Sequence, residues 1–386
     1  MRNFISLLNS MEFFPTLSYD WISAVFLIFC AAILVQVFFL FWFQFRLVFY
    51  KPSESSTTLP PVSVIICSRN EEENLIKNLP SVLAQNYPQF EVIVVNDQSG
   101  DGTQHVIREL SKKYSNLKTI EIPRNRHAKF GKKMPLTIGI KGAKYDRVAL
   151  IDADCHPTSN KWLQHLMSGY SQGKEIVIGY SPYTREPGFL NRLIRFDTVS
   201  IGINYLSFAL GGRPYMAVGR NMSYSRDLFF RVEGFKSHYH IQSGDDDLFI
   251  QDAATKKNVS VCIHPENFVM SGPKKTWSGW FQQKRRHYST SSEYRLINKF
   301  FLGIFTLTMF LTLFTLVILL IGYEWWGLVL AIFGLRTAMY WLVNGILFRR
   351  LDAGDLVKFF PLLELLHFCV MPFVYYSVKG NREDKW

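Results

Sequence analysis

Two kinds of apolar pattern divide the chain. Trp21–Phe43 carries no charged residue and is long enough to cross the hydrocarbon core of a bilayer, and Phe300–Ile321 is equally clean. Trp325–Phe348 is interrupted by Arg336 and Asn344. Leu356–Val378 contains Lys358, Glu364, His367, Pro361 and Pro372, and reads either as a span or as a helix lying on the membrane surface. Between the first two runs the pattern shortens. Val62–Cys67, Glu91–Asn96, Lys118–Ile122 and Val148–Ile151 have the length and apolar content of buried strands. Asn74–Gln85 and Gln104–Tyr114 carry apolar residues at helical spacing, and a further helix starts near Pro135. This alternation predicts an α/β domain with a doubly wound, mostly parallel sheet. Ile176–Gly179 adds a strand. Phe189–Leu210, apolar but carrying Arg192, Arg195 and Asp197, predicts an amphipathic helix against the membrane surface or against the sheet.

These patterns divide the chain into residues 1–50 with one span, a domain over 51–295, and a membrane region over 296–386 with two or three helices. The segment Lys51–Pro61 is a polar, proline-containing linker. The first apolar run is too long for a signal peptide and lacks a small-residue cleavage site.

Charge fixes an expected orientation. The net charge is +12, from 43 Lys+Arg against 31 Asp+Glu. Arg46 and Lys51 follow the first run, Arg285 and Arg286 precede the second, and Arg349 and Arg350 follow the third. The positive-inside rule then puts the central domain in the cytoplasm, making this an integral protein of the inner or plasma membrane. No nucleic-acid-binding module accompanies the basic balance. The five cysteines are scattered without C-x-x-C spacing, which indicates neither a zinc site nor a disulfide framework.

The candidate chemistry lies at the ends of the strands. RVALIDADCHP (147–157) delivers Asp152 and Asp154 just beyond an apolar strand, where ligands of open α/β sheets bind. Two carboxylates so close need a counter-ion, and a hard divalent cation carrying phosphates would supply it. The other strands end in Asn70-Glu71 and in Asp97. No G-x-G-x-x-G follows any strand and no Walker-type loop occurs, so a dinucleotide-binding dehydrogenase is a poor fit. Side-chain acceptors suit the N–H groups of a base and the hydroxyls of a sugar. Further on, Gly244-Asp245-Asp246-Asp247 sets three carboxylates side by side, a run in which one pKa is raised and one group can act as a base.

Taken together, VSVIICSRNEEE, EVIVVNDQSGDGT, GKKMPLTIGIKGAKY and VALIDADCHP, in this order and spacing, resemble family 2 glycosyltransferases with the GT-A, Rossmann-like fold. The flanking apolar helices make the chain similar to the membrane-embedded branch that includes cellulose and hyaluronan synthases and ceramide glucosyltransferase. The resemblance covers about Pro61 to Tyr288. It implies that Asn70 and Glu71 sit beside the nucleotide and that Asp97 accepts from the base, uracil being the first choice. Lys132 or Lys133 would lie near the phosphates, Asp152 near the ribose and metal, and Asp154 would ligate Mg²⁺ or Mn²⁺. PYMAVGRNMSY (214–224) resembles the family's G-x-N segment, which implies that Gly219 and Asn221 line the donor-sugar pocket. Matching Asp247-Leu248 to the family's Asp-Leu makes Asp245 the base; a register that uses Asp246 instead stays open. WSGWFQQKRRHY (277–288) resembles Q-[QR]-x-R-W, with His287 in place of Trp. Arg286 would then hold the diphosphate leaving group, with Gln283 and His287 shaping the acceptor end.

The function implied is an inverting transfer of a sugar from a nucleotide-sugar to a lipid or lipid-linked glycan. Rival expectations are a processive polysaccharide synthase and a non-catalytic membrane partner of one. With only one span before the domain, a translocation channel would be small, which favours single transfer. Retention of Asp97, Asp152, Asp154 and Gln283–Arg286 speaks against a degenerate copy.

Overall fold

The computed structural model of the protein describes residues 20–52, 59–123, 131–171 and 173–376. In chain order the helices and strands are α1 (Trp21–Phe39), α2 (Phe45–Phe49), β1 (Val62–Ser68), α3 (Glu72–Leu83), β2 (Phe90–Asp97), α4 (Thr103–Lys113), β3 (Leu117–Ile122), α5 (Lys133–Gly142), β4 (Arg147–Leu150), β5 (Cys155–Pro157) and α6 (Trp162–Ser168). They continue with β6 (Ile176–Ile178), α7 (Phe189–Leu210), β7 (Met222–Ser225), α8 (Arg226–Arg231), α9 (Asp247–Ala253), β8 (Val259–Val261), β9 (Val269–Ser271), α10 (Trp277–Tyr288), α11 (Leu296–Gly322), α12 (Trp326–Arg350) and α13 (Phe360–Tyr376).

Seven strands form the main sheet in the order β3-β2-β1-β4-β7-β6-β8. The first four are mutually parallel, β7 runs antiparallel to both β4 and β6, and β8 is parallel to β6. The fold is therefore α/β with a mostly parallel sheet, as the alternating pattern predicts. β1 is buried along its whole length because helices cover both faces, which is why its sequence runs apolar without alternating. On one face Val64, Val94 and Ala149 pack with Leu75, Leu79 and Leu163. On the other, Ile65, Ile93 and Leu150 pack with Leu136 and Ile140 of α5. There α5 approaches so closely that a Cβ on Gly139 would come within 2.6 Å of Ile65.

The second face continues without a break into the apolar helices. Phe43 stacks on Phe208 of α7 at 4.1 Å between ring centroids, and Phe196 meets Phe348 and Phe360. α7 is thus buried on several sides, between sheet and apolar helices, so of the two placements its sequence allows it is the one against the sheet that forms. Among the described residues, four helices are long and apolar enough to cross a membrane: Trp21–Phe49, Leu296–Gly322, Trp326–Arg350 and Gly354–Val374. The first runs on through a π turn, Leu40–Gln44, to Phe49, six residues beyond the apolar run read from sequence.

Several polar residues inside these helices bond one another, as an apolar surround favours. Gln36 donates to Thr312 (2.8 Å) and to the Thr308 carbonyl (3.0 Å). Arg336 donates to Gln36 (2.7 Å) and makes a two-pronged pair with Glu364 at 2.9 and 3.0 Å. Arg350, which the charge pattern reads as a topology signal, also donates to the carbonyls of Leu47 (2.7 Å) and Val48 (3.0 Å). That closes the open end of the first helix with a cation, where the macrodipole favours one.

Candidate functional site

Parallel strands place their carboxyl ends together, and here β1 and β4 end in one cleft that opens into a cavity of about 1250 Å³. β1 leads to Arg69, Asn70 and Glu71. Asn70 has positive φ (57°) and fixes the neighbouring loop, accepting from the Gly100 N–H at 2.7 Å while its own N–H reaches Ser99 at 3.0 Å. Glu71 faces the cavity and accepts from Asn74 at 2.5 Å; burial raises its pKa. Asp97 is 3% exposed, accepts from Gln98 at 3.0 Å and lies 4.0 Å from the Arg69 guanidinium. Arg69, Asn70 and Glu71 face the cavity there and Asp97 does not.

β4 ends at Leu150, and the chain then turns through Asp152 and Asp154 into β5, which pairs with β9. Carboxylate oxygens of both aspartates and the Cys155 sulfur lie within 4.8 Å of one another. The Cys155 thiol donates to Asp154 at 3.2 Å, and burial raises its pKa well above the ordinary value. The two carboxylates are hard oxygen donors, a set that suits Mg²⁺ or Mn²⁺.

Of the two lysines expected near the phosphates, Lys132 is the one that reaches the acidic site. Its ammonium contacts Asp152 and lies 3.3 Å from Asp245, so it bridges the two acidic clusters. Burial pushes the Asp152 carboxyl up, but Lys132, Arg220 and Arg286 more than reverse this and hold it below its usual value. Lys133 points away, donating to the carbonyls of His238 (2.6 Å) and Ile241 (3.0 Å) as a buried cross-link. The remaining basic residues of that loop, Arg124, Arg126, His127 and Lys129, lie outside the described residues.

The three aspartates before and at the start of α9 divide by their partners. Asp247 is buried and accepts from Thr290, from Tyr294 at 2.8 Å and from the Leu248 N–H at 2.8 Å. Asp246 accepts from the Gly219 N–H and the Asp247 N–H, both at 2.8 Å. Burial, followed by the charges of Asp245 and Asp247, pushes the Asp246 carboxyl up to about 7. Asp245 faces the cavity with Lys132 as its charged neighbour.

Gly219 and Asn221, paired by the sequence reading, separate in space. Gly219 faces the cavity. Asn221 is fully buried, donating to the Tyr180 (2.7 Å) and Asn267 (2.9 Å) carbonyls and accepting from the Trp162 indole at 3.0 Å. It buttresses the wall from behind, and the residue between them, Arg220, reaches the cavity instead. Arg220 is held by Ser181 at 2.6 Å and lies over the Tyr183 ring. On α10, Gln283 donates to the Tyr183 hydroxyl at 2.9 Å, and Arg286 and His287 face the cavity. Burial, with Lys284, Arg286 and Arg220 nearby, lowers the His287 pKa to about 3, so its imidazole is neutral. Lys284, at the [QR] position of the motif, contacts Asp197 of α7, which also bonds His367 of α13 at 2.9 Å. Sequence spacing gives no sign of that three-helix link.

Residues 63–231 match the model of Glycosyl transferase family 2. The chain is 26% identical over 289 residues to the probable glycosyltransferase YdaM of Bacillus subtilis, covering 71% of this chain and 64% of that protein. It is 35% identical over 136 residues to the glycosyltransferase AglE of Haloferax volcanii, covering 34% of this chain and 43% of the relative. The chain thus spans less than two thirds of either relative's length. Among solved structures, the mannosyltransferase PcManGT of Pyrobaculum calidifontis, in complex with GDP-Man and Mn²⁺, aligns with a TM-score of 0.55 at 17% identity. That alignment covers 87% of this chain and 97% of the other, and it shows the shared fold.

Proposed function

We propose, from the premise that residues 63–231 are a family 2 glycosyltransferase domain, that this protein is a membrane-bound enzyme moving a sugar from a nucleotide-sugar to a lipid or lipid-linked acceptor with inversion. The observation that carries this reading is the continuity of one cavity. It runs from Asp152 and Asp154 past Asp245 and on between α11, α12 and α13, reaching Met309, Phe310, Tyr340 and Phe368. A nucleotide-sugar needs the first part, and an acceptor with an apolar body suits the second.

In this reading the nucleotide lies along Arg69, Asn70 and Glu71, with Asp97 behind them as the carboxylate facing the Arg69 guanidinium; uridine is our first choice. Asp154 and Asp152 would hold Mg²⁺ or Mn²⁺, which when bound neutralises the diphosphate. Arg286 and Arg220 supply fixed positive charge where the leaving group gains its negative charge. Asp245 takes the proton of the acceptor hydroxyl. Its oxygen bonds to the anomeric carbon from the face opposite the diphosphate, which departs with the electron pair of the broken C–O bond. Of the three aspartates, Asp245 fits because its neighbours carry backbone and hydroxyl donors on both oxygens. The basic residues at both membrane junctions support a cytoplasmic catalytic domain.

The test is release of free nucleotide by the purified protein across a panel of nucleotide-sugars with Mg²⁺ or Mn²⁺ present. Release confined to one or two donors supports the reading, and no binding or turnover of any donor overturns it.

A further inference from the structure

The membrane half of the cavity carries hydrogen-bonding groups that the transfer chemistry does not use. Gln44 of the π turn, Asn204 of α7 and Asn344 of α12 all face it. Gln44 accepts from Asn344 at 3.2 Å, which leaves its own N–H groups directed elsewhere. Among the described residues the Asn204 carboxamide has no hydrogen-bond partner within the protein. Gln44 stands five residues inside the end of the first candidate span at Phe49, and Asn344 six residues inside Arg350. At 1.5 Å per residue that is roughly 8–9 Å below the helix ends. Beside them a side chamber of about 20 Å³ is lined by Gln44, Asn204 and Ser207, enough for one water-sized group. The Ser207 hydroxyl is fully buried and has no partner. Polar groups left open at this depth are costly unless something meets them.

At this depth the charged groups are matched: Glu364 is paired with Arg336, and Asp197 with Lys284 and His367. Lys299, near the start of α11, has no carboxylate partner among the described residues and donates to the Ser292 carbonyl. A phosphate at the level of Gln44 and Asn344 would meet two carboxylates whose cations are already paired. The reacting end gives a second, independent argument. A hydroxyl must lose a proton to attack, whereas a phosphate oxygen is already ionised at neutral pH and has no use for a base such as Asp245.

We propose that the acceptor is a lipid whose polar group is uncharged and hydroxyl-bearing, and that Gln44, Asn204 and Asn344 bind that group inside the membrane half of the cavity. This rests on the glycosyltransferase reading and specifies its acceptor. The lipid's chain lies along Phe305 and Met309 of α11 and Met371 of α13, apolar residues of the cavity wall. α11 and α13 come together at Phe310 and Phe368, whose ring centroids are 4.3 Å apart, a contact of two side chains that can part toward the bilayer. In the step itself the hydroxyl proton passes to Asp245, the lipid oxygen bonds to the sugar, and the nucleoside diphosphate leaves.

The experiment uses the full chain in phosphatidylcholine nanodiscs with the donor found in the panel. A diacylglycerol bearing a photoreactive diazirine in its acyl chain is the probe. Crosslinks mapped to α11 and α13, reduced at least tenfold by excess unlabelled diacylglycerol but less than twofold by polyprenyl phosphate, support the proposal. So does sugar recovered on diacylglycerol and not on the phosphate lipid. Asn204→Leu should raise the acceptor KM at least tenfold with donor affinity kept; the wild-type competition decides even if that variant does not fold. Equal competition by the phosphate lipid, or transfer to it alone, overturns the neutral-acceptor proposal while the enzyme class stands. Donor turnover without any lipid crosslink overturns it as well. Absence of donor binding instead overturns the glycosyltransferase reading.

Discussion

Replacing Asp245 by Asn removes the carboxylate that faces the cavity without removing a backbone contact, since its charged neighbour is Lys132 at 3.3 Å. Lys132 keeps its other partner, Asp152, so the donor side should hold. If Asp245 accepts the acceptor's proton, kcat for transfer falls by about 10²–10⁴-fold. At about 1.4 kcal/mol per decade this is roughly 3–6 kcal/mol of transition-state stabilisation, while donor affinity, read by calorimetry, stays within about threefold. Asp246→Asn should behave differently. Asp246 titrates near 7 because it is buried between like charges. In the wild type kcat should therefore rise with pH through about 7, as a second negative charge appears beside the point of proton transfer. In Asp246→Asn that inflection disappears and the loss at pH 8 is about tenfold or less.

Stability gives the same residue a second signature. A carboxyl whose folded pKa lies above its ordinary 3.8 makes the fold progressively less stable as pH rises from about 4 to 7. The ceiling is about 4 kcal/mol, reduced by solvent in the open cleft. Asp246→Asn should accordingly gain more in Tm, relative to wild type, at pH 8 than at pH 5. If Asp245→Asn keeps most of its kcat and Asp246→Asn loses it, the roles are exchanged. If neither matters, this cluster is not the base.

Asp154→Asn should lower kcat by orders of magnitude with Tm little changed, and excess chelator should abolish wild-type turnover; full activity in chelator would refute the metal assignment. Asn221→Ala should cost about 3 kcal/mol of stability by stranding the Trp162 N–H and two carbonyls, with donor affinity preserved in the folded fraction. A donor-binding role would appear instead as lost affinity at unchanged Tm. A single cysteine at exposed Glu73 should resist an impermeant thiol reagent in intact cells and react after lysis; labelling from outside would reverse the proposed orientation.

Periodicity alone determined β1–β4, β6, α3–α5 and the apolar spans, because burial on two faces, on one stripe, or in lipid each leaves its own spacing of apolar residues. The short strands β5, β7, β8 and β9 carry too few apolar residues for a spacing to show. The acidic ends of β1 and β4 were legible for the same reason: a charge that closes an apolar strand must lie at the sheet's edge. What sequence did not determine was which member of each polar cluster faces the cavity. Asn221 and Arg220 are neighbours, yet local backbone direction buries one in the wall and opens the other to the cleft. Lys132 and Lys133 are equally basic, but only the first meets Asp152 and Asp245. The fate of α7 also lay outside any spacing rule, since its low polarity suits a membrane surface or an interior equally. Packing between sheet and apolar helices decided it. The links of Asp197 to α10 and α13, and of Gln44 to Asn344 across 300 residues, exist only once the chain has folded back on itself. Side-chain charge is written in the sequence; its partner is chosen by tertiary structure.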